Sequence, residues 1–87
     1  VSIGREEGND IVLDLTTASR RHAHIELRKT GFFLIDHSWN GTFVYDETGE
    51  ESHVHNAEHR LEESGIICPG SPGSADEVEA IRFIEAR

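Results

Sequence analysis

The sequence predicts an all-β domain, built as an antiparallel sandwich or barrel. Three observations carry this. Short apolar runs recur at spacings of about ten residues. Turn-like stretches separate them, among them Glu6–Asn9, Lys29–Gly31 and Glu47–Glu51. The clearest run, His22–Arg28, alternates apolar and polar side chains, which is the period of a half-buried strand.

The elements follow in chain order. Val1–Arg5 alternates and ends in Gly4-Arg5, and Asp10–Leu15 gives a second short strand. In the third, Ala23, Ile25 and Leu27 share one face, and His24, Glu26 and Arg28 share the other. Lys29-Thr30-Gly31 reads as a hairpin turn into Phe32–Asp36. Thr42–Asp46 is the next strand. Ahead of it, Asn40-Gly41 lies between two apolar runs and carries the short-range signature of a hairpin, because both residues accept the positive φ of a tight primed turn. Ser52–His55 and Gly65–Gly70 are further short strands, and Ala57–Ser64 has room for one helical turn. Ser71–Glu77, rich in Ser, Pro and Gly, is a flexible loop. In the closing segment Val78, Ile81 and Ile84 recur at helical spacing, whereas Ile81 and Phe83 alternate. The β-branched content favours a strand.

Size and charge narrow the function. The 87 residues make one domain, 1–87, near the small end of what folds without disulfide or metal. The chain begins at Val1 rather than Met and is therefore expected to be a segment of a longer protein. No run reaches the roughly 18 apolar residues of a membrane span, so no membrane partner is expected. The single cysteine, Cys68, has no internal disulfide partner, which favours a reducing, cytoplasmic setting; in Gly65–Gly70 it reads as a small buried hydrophobe. Seventeen acidic residues against eight basic give a formal net charge of −9, which argues against nucleic acid as a partner. Yet Arg5, Arg20 and Arg21 fall in two short motif-like stretches. An acidic chain that still gathers arginine in one place is suited to hold a discrete anion.

Four motifs stand in order: Gly4-Arg5, Asn9-Asp10-Ile11, Ser19-Arg20-Arg21-His22 and Asn40-Gly41-Thr42. Together, with Phe32–Ser38 leading into the last, they resemble the forkhead-associated (FHA) domain, a phosphothreonine-binding β-sandwich of the FHA/SMAD-like kind. The resemblance spans about Val1 to Val44. It implies two sheets packed face to face, with loops at one end forming a peptide site and no cofactor required. By position, Arg5 would contact the phosphate or the peptide main chain. Ser19 and Arg20 would bond the phosphate, and Asn40 would fix the peptide backbone. His22 would brace the loop from behind, while Gly4, Gly41 and Thr42 would shape the site. Family members usually carry one or two strands before the Gly-Arg strand, so the sandwich is expected to lack these. Many also carry Thr or Ser directly before Asn-Gly-Thr. Here Trp39 stands there, offering an indole N–H and a ring to pack on a peptide instead of a hydroxyl. The partner implied is a phosphothreonine-containing protein or peptide, with an effector domain attached elsewhere in the parent chain.

The residue chemistry agrees with that reading. A phosphothreonine carries about −1.5 to −2 charge and three acceptor oxygens. Arginine forks match such oxygens with charge-assisted hydrogen bonds. Arg20 and Arg21 are adjacent and, if extended, point to opposite sides, so only one is expected to face the ligand. The resemblance to the family pattern implies Arg20, with Arg21 on the rim or in solvent.

Other functions fit less well. Asp36-His37-Ser38 has the residue types of a hydrolase triad, but consecutive strand residues alternate faces and form no relay, so the chain is not expected to be an enzyme. His53-x-His55, with His59 near, places two imidazoles on one strand face without the Cys or Glu companions of a metal motif; solvated loop histidines are expected. The serious alternative is a phosphate-independent protein–protein interaction domain on the same scaffold.

Overall fold

In the computed structural model, which describes residues 1–72 and 80–85, every regular element is a strand. Nine are described: β1 (Ser2–Gly4), β2 (Ile11–Val12), β3 (Ala23–Arg28), β4 (Gly31–Asp36), β5 (Thr42–Tyr45), β6 (Glu51–Val54), β7 (Glu58–Arg60), β8 (Ser64–Pro69) and β9 (Ile81–Ile84). They form a five-stranded sheet in the order β2-β1-β3-β4-β7 and a four-stranded sheet in the order β6-β5-β8-β9. Among the described residues no helix is long and apolar enough to cross a membrane.

The expected β-sandwich is present, with antiparallel pairing throughout except between β1 and β2. These run parallel, with Ile3 opposite Ile11. The inward side chains fill a core of Ile3, Leu13, Ala18, Ala23, Leu34, Val44, Val54, Leu61 and Ile67, drawn from both sheets and from the loop before β3. Burial of such aliphatic side chains, about 1.5–3 kcal/mol each, is the main force closing the sandwich. Cys68 is buried on β8. Leu27, expected to share one face with Ala23 and Ile25, is 69% exposed, so burial along that face of β3 falls away towards the hairpin end.

The turn at Lys29-Thr30 is a two-residue hairpin: Arg28 pairs with Gly31, whose φ of +136° glycine accepts at little cost. The Asn40-Gly41 hairpin does not form. β4 pairs with β3 and β7, whereas β5 pairs with β6 and β8, so residues 37–41 carry the chain from one sheet to the other. Gly41 has positive φ, +85°, but Asn40 does not, so no primed turn is made. The helical turn expected within Ala57–Ser64 is also absent. Glu58–Arg60 is the edge strand β7, captured by pairing Ile35 with Glu58 and Phe33 with Arg60. Of Asp10–Leu15 only Ile11–Val12 is strand, the rest bending into the loop. The closing segment is the strand β9, paired with β8. The loop expected over Ser71–Glu77 lies beyond Pro72 outside the described residues.

Candidate functional site

Three loops meet at one end of the sandwich: the segment after β1, the segment before β3, and the crossover from β4 to β5. The first two are laced by backbone. Arg5 N–H donates to the Ser19 carbonyl (3.0 Å), Glu6 N–H to the Arg20 carbonyl (3.2 Å) and His22 N–H to the Ile3 carbonyl (2.8 Å). The Asn9 amide adds two donors, to the carbonyls of Glu6 (2.7 Å) and Arg20 (2.9 Å). Gly4 is required by this lacing, because a Cβ there would overlap the Arg20 carbonyl and meet the Asn9 amide at 2.8 Å. Asp10 closes the first loop on its strand, accepting the Ser2 N–H at 2.8 Å.

His22 ties the second loop to the third. Its Nδ1 accepts the Ser19 N–H at 3.0 Å, so the ring carries its proton on Nε2, which donates to the Gly41 carbonyl at 2.8 Å. The ring is wholly buried. Burial pushes its pKa below the ordinary imidazole value, outweighing the Gly41 hydrogen bond and the Asp36 carboxylate, whose oxygen lies 3.8 Å from Nε2. The histidine is therefore a neutral brace.

Asp36 holds the crossover. Its carboxylate accepts the Ser38 hydroxyl (2.8 Å), the Thr42 hydroxyl (2.8 Å), the Asn56 N–H (2.8 Å) and the Ser38 N–H (3.2 Å). Burial alone would raise its pKa, but these bonds, led by Asn56, hold it below the usual carboxylate range. The Ser38 hydroxyl oxygen in turn accepts the Gly41 N–H at 2.7 Å. Gly41 thus has both backbone groups committed, and a Cβ on it would strike the His53 ring.

The loops enclose a cleft of about 530 Å³ lined by Arg5, Ser19, Arg20, Trp39 and Asn40, all five of the expected ligand contacts, together with Thr17, Glu6, Arg21 and His37. Ser19 Oγ accepts the Trp39 N–H at 3.1 Å, which leaves the hydroxyl proton for a ligand. Asn40 donates one amide hydrogen to the Thr17 carbonyl at 2.8 Å, and its amide oxygen accepts no hydrogen bond among the described residues. Trp39 is 88% exposed and so covers no sheet. Arg21, exposed, also borders the cleft.

The electrostatics are uneven. Arg28 is paired with Glu26 (2.7 Å) and, by two bonds, with Glu58 (2.7 and 3.0 Å). Arg60 donates to the Thr30 carbonyl. By contrast, the guanidinium groups of Arg5, Arg20 and Arg21 make no hydrogen bond or ion pair among the described residues. Among the described residues, three of the chain's eight basic side chains thus stand around one cleft without an ion-pair partner. Such an arrangement can take up an anion without first breaking an internal salt bridge.

Four contributors were not anticipated as such: Asn9 and Asp10, Asp36 and Ser38. Asn9 and Asp10 were visible as a motif without an assigned task. Asp36-His37-Ser38 has the residue types of a catalytic group, but Asp two residues before Ser at a chain reversal is also the local signal of a side chain bonding its own backbone. His53 and His55 stack with ring centroids 6.0 Å apart, and His53 also stacks on Phe43 at 4.2 Å.

Comparison with known proteins gives the same family from sequence and from fold. The FHA domain model matches residues 1–68. The glycogen accumulation regulator GarA of Mycobacterium tuberculosis (strain H37Rv) is 40% identical over 58 residues, covering 66% of this chain and 36% of that protein. An uncharacterized protein of Mycobacterium bovis, Mb1858, matches equally. The match thus spans only about a third of the length of these relatives. Among solved structures, an engineered FHA with a Myc-pTBD peptide superposes with TM-score 0.69 at 25% identity, covering 97% of this chain and 65% of that one. The N-terminal FHA domain of Saccharomyces cerevisiae Rad53p, in complex with a phosphothreonine peptide, gives 0.66 at 26%, covering 97% and 66%. The FHA-2 domain of the M. tuberculosis ABC transporter Rv1747 gives 0.64 at 31%, covering 99% and 75%. The chain belongs to the FHA domain family.

Proposed function

We propose that this chain is a phosphopeptide-recognition module that reads phosphothreonine on a protein partner. The observation that carries the reading is the cleft in which three unpaired arginines stand beside a hydroxyl and an amide with free hydrogen-bonding capacity. Arg5 and Arg20 supply forked, charged donors to the phosphate oxygens, and Ser19 adds its hydroxyl proton. Asn40, pinned by the Thr17 carbonyl, presents an amide oxygen and a second N–H to the peptide main chain. Trp39 offers a ring for a peptide side chain at the mouth. Gly4, His22, Gly41 and Thr42 hold the loops that carry these groups.

Two further points support the reading. Solved structures of similar fold include an engineered FHA with a Myc-pTBD peptide and the Rad53p domain in complex with a phosphothreonine peptide. The rejection of unmodified threonine follows from physics, since it would displace water from cationic groups and return no charge. Within a longer parent protein, the module would bring an attached effector domain to a phosphorylated partner in the cytoplasm.

Calorimetric titration of the chain with matched threonine and phosphothreonine peptides tests this. Binding confined to the phosphorylated peptide and lost on Arg5→Ala is expected. Equal affinity for the two peptides, or indifference to Arg5→Ala, would establish the phosphate-independent interaction domain instead.

A further inference from the structure

Beside the phosphate cleft lies a second, of about 600 Å³, lined by Ser2, Gly8, Asn9, Ala23 and His24 and sharing Glu6, Arg21 and His37 with the first. His24 and His37 form a pair: His24 Nδ1 and His37 Nε2 are 2.8 Å apart, and the rings stack with centroids separated by 4.9 Å. The outer nitrogens, His24 Nε2 and His37 Nδ1, have no partner among the described residues.

Hydrogen counting shows what such a pair can do. In the neutral pair one proton occupies the inner hydrogen bond, so one outer nitrogen bears a hydrogen and the other a lone pair. One added proton fills that lone pair. The pair then carries a single positive charge, keeps its inner bond, and presents two outward N–H donors. A second proton would set two N–H groups against each other and break the pair. The pair can therefore gain one positive charge without losing its inner hydrogen bond.

We infer that this second cleft is a subsite for a second anionic side chain on the same phosphopeptide, held by Arg21 and by the His24–His37 pair after it takes up one proton. The inference rests on the phosphothreonine reading and extends it to a doubly anionic ligand. The surrounding charges permit it. On the outer face of β3 and its neighbours, Glu26 and Glu58 are held by Arg28, although Glu58 also senses the charge of His24. Asp10 is occupied by Ser2. His22, whose carbonyl accepts the His37 N–H, is buried and neutral. Among the residues lining the second cleft Glu6 is the one acidic side chain, and Arg21 lines both clefts with it.

Calorimetry on the whole chain tests the inference. A peptide with one phosphothreonine in a neutral background is compared with peptides bearing one added Glu, scanned over the flanking positions on both sides. The best Glu position is then remade with phosphoserine. The expected result at about pH 6 is a gain of about fivefold at one position or a short run of positions, the scale of one or two exposed ion pairs. The gain falls as the pH is raised, because the pair then gives up its added proton. Because both peptides carry the same phosphothreonine, its own titration cancels in the ratio. His24→Gln, outside the first cleft, should abolish the gain and leave binding of the singly phosphorylated peptide unchanged, which also shows that the variant is folded. A larger gain from phosphoserine than from Glu marks a second phosphate as the preferred group, and equal gains mark a carboxylate; both support the subsite. No gain at any position at about pH 6, or a gain that survives His24→Gln, overturns it. Failure of the singly phosphorylated peptide to bind removes the phosphothreonine reading itself, and this extension with it.

Discussion

Ser19 Oγ accepts the backbone N–H of Trp39 at 3.1 Å, so the loop that carries Arg20 and the crossover that carries Asn40 are joined inside the cleft. Ser19→Ala removes this tie and the hydroxyl proton together. A loss of about tenfold or more in phosphopeptide affinity is expected, one hydrogen bond to a charged group being worth about 1.5–3 kcal/mol. Ser19→Thr, which keeps the hydroxyl, should retain most of it in the same titration.

Arg5→Ala should weaken phosphopeptide binding by at least about 2 kcal/mol, or about thirtyfold, the scale of truncating one partner of a charged hydrogen-bonded pair. Arg5→Lys keeps the charge but loses the fork and should fall between the two. Thermal melting of both variants should match the parent, because the guanidinium makes no hydrogen bond or ion pair among the described residues.

Gly4→Ala tests the lacing of the first two loops. The new methyl would need the Arg20 carbonyl to move, and overpacking of this kind is destabilising by about 1–3 kcal/mol. Urea denaturation should show that loss. Phosphopeptide affinity should fall as well, although Gly4 does not line the cleft.

The buried His22 and Asp36 set the response to acid. The unfolded chain protonates a histidine near about pH 6.5, whereas burial keeps native His22 neutral to lower pH. The unfolded state therefore binds more protons, and stability should drop as the pH falls below about 6.5. Asp36 is depressed in the native state by its hydrogen bonds, so its contribution is present above about pH 4 and is lost as the pH falls through the lower native value. Urea midpoints measured from about pH 7 to pH 3 should decline in these two stages, and His22→Gln should flatten the first. Asp36→Ala strands two hydroxyls and two backbone N–H groups and should destabilise by about 3 kcal/mol or more.

The sequence made some features legible and hid others, for physical reasons. Alternation along Ala23–Arg28 and the runs around it marked the strands, since side-chain period is a local property. The residues of the cleft were legible because Gly4-Arg5, Ser19-Arg20 and Asn40-Gly41-Thr42 are short patterns that loops at one end of a sandwich bring together. Pairing partners were not. Asn40-Gly41 has the local preference for a hairpin, but β5 finds better neighbours in β6 and β8, and the turn becomes a passage between sheets. Glu58–Arg60 has no strand signal of its own and is extended only because β4 offers it an edge. The Asp36 network was hidden for a related reason, since its Asn56 donor comes from twenty residues away.

The exposed position of Trp39 has a practical consequence. It is the only tryptophan in the chain, and it stands at the mouth of the cleft with its ring in water. The molecule therefore carries its single indole at the place where a peptide would arrive, with no second indole to dilute the signal. A bound side chain that shields the indole should shift its emission to shorter wavelength, so occupancy can be followed in unlabelled protein.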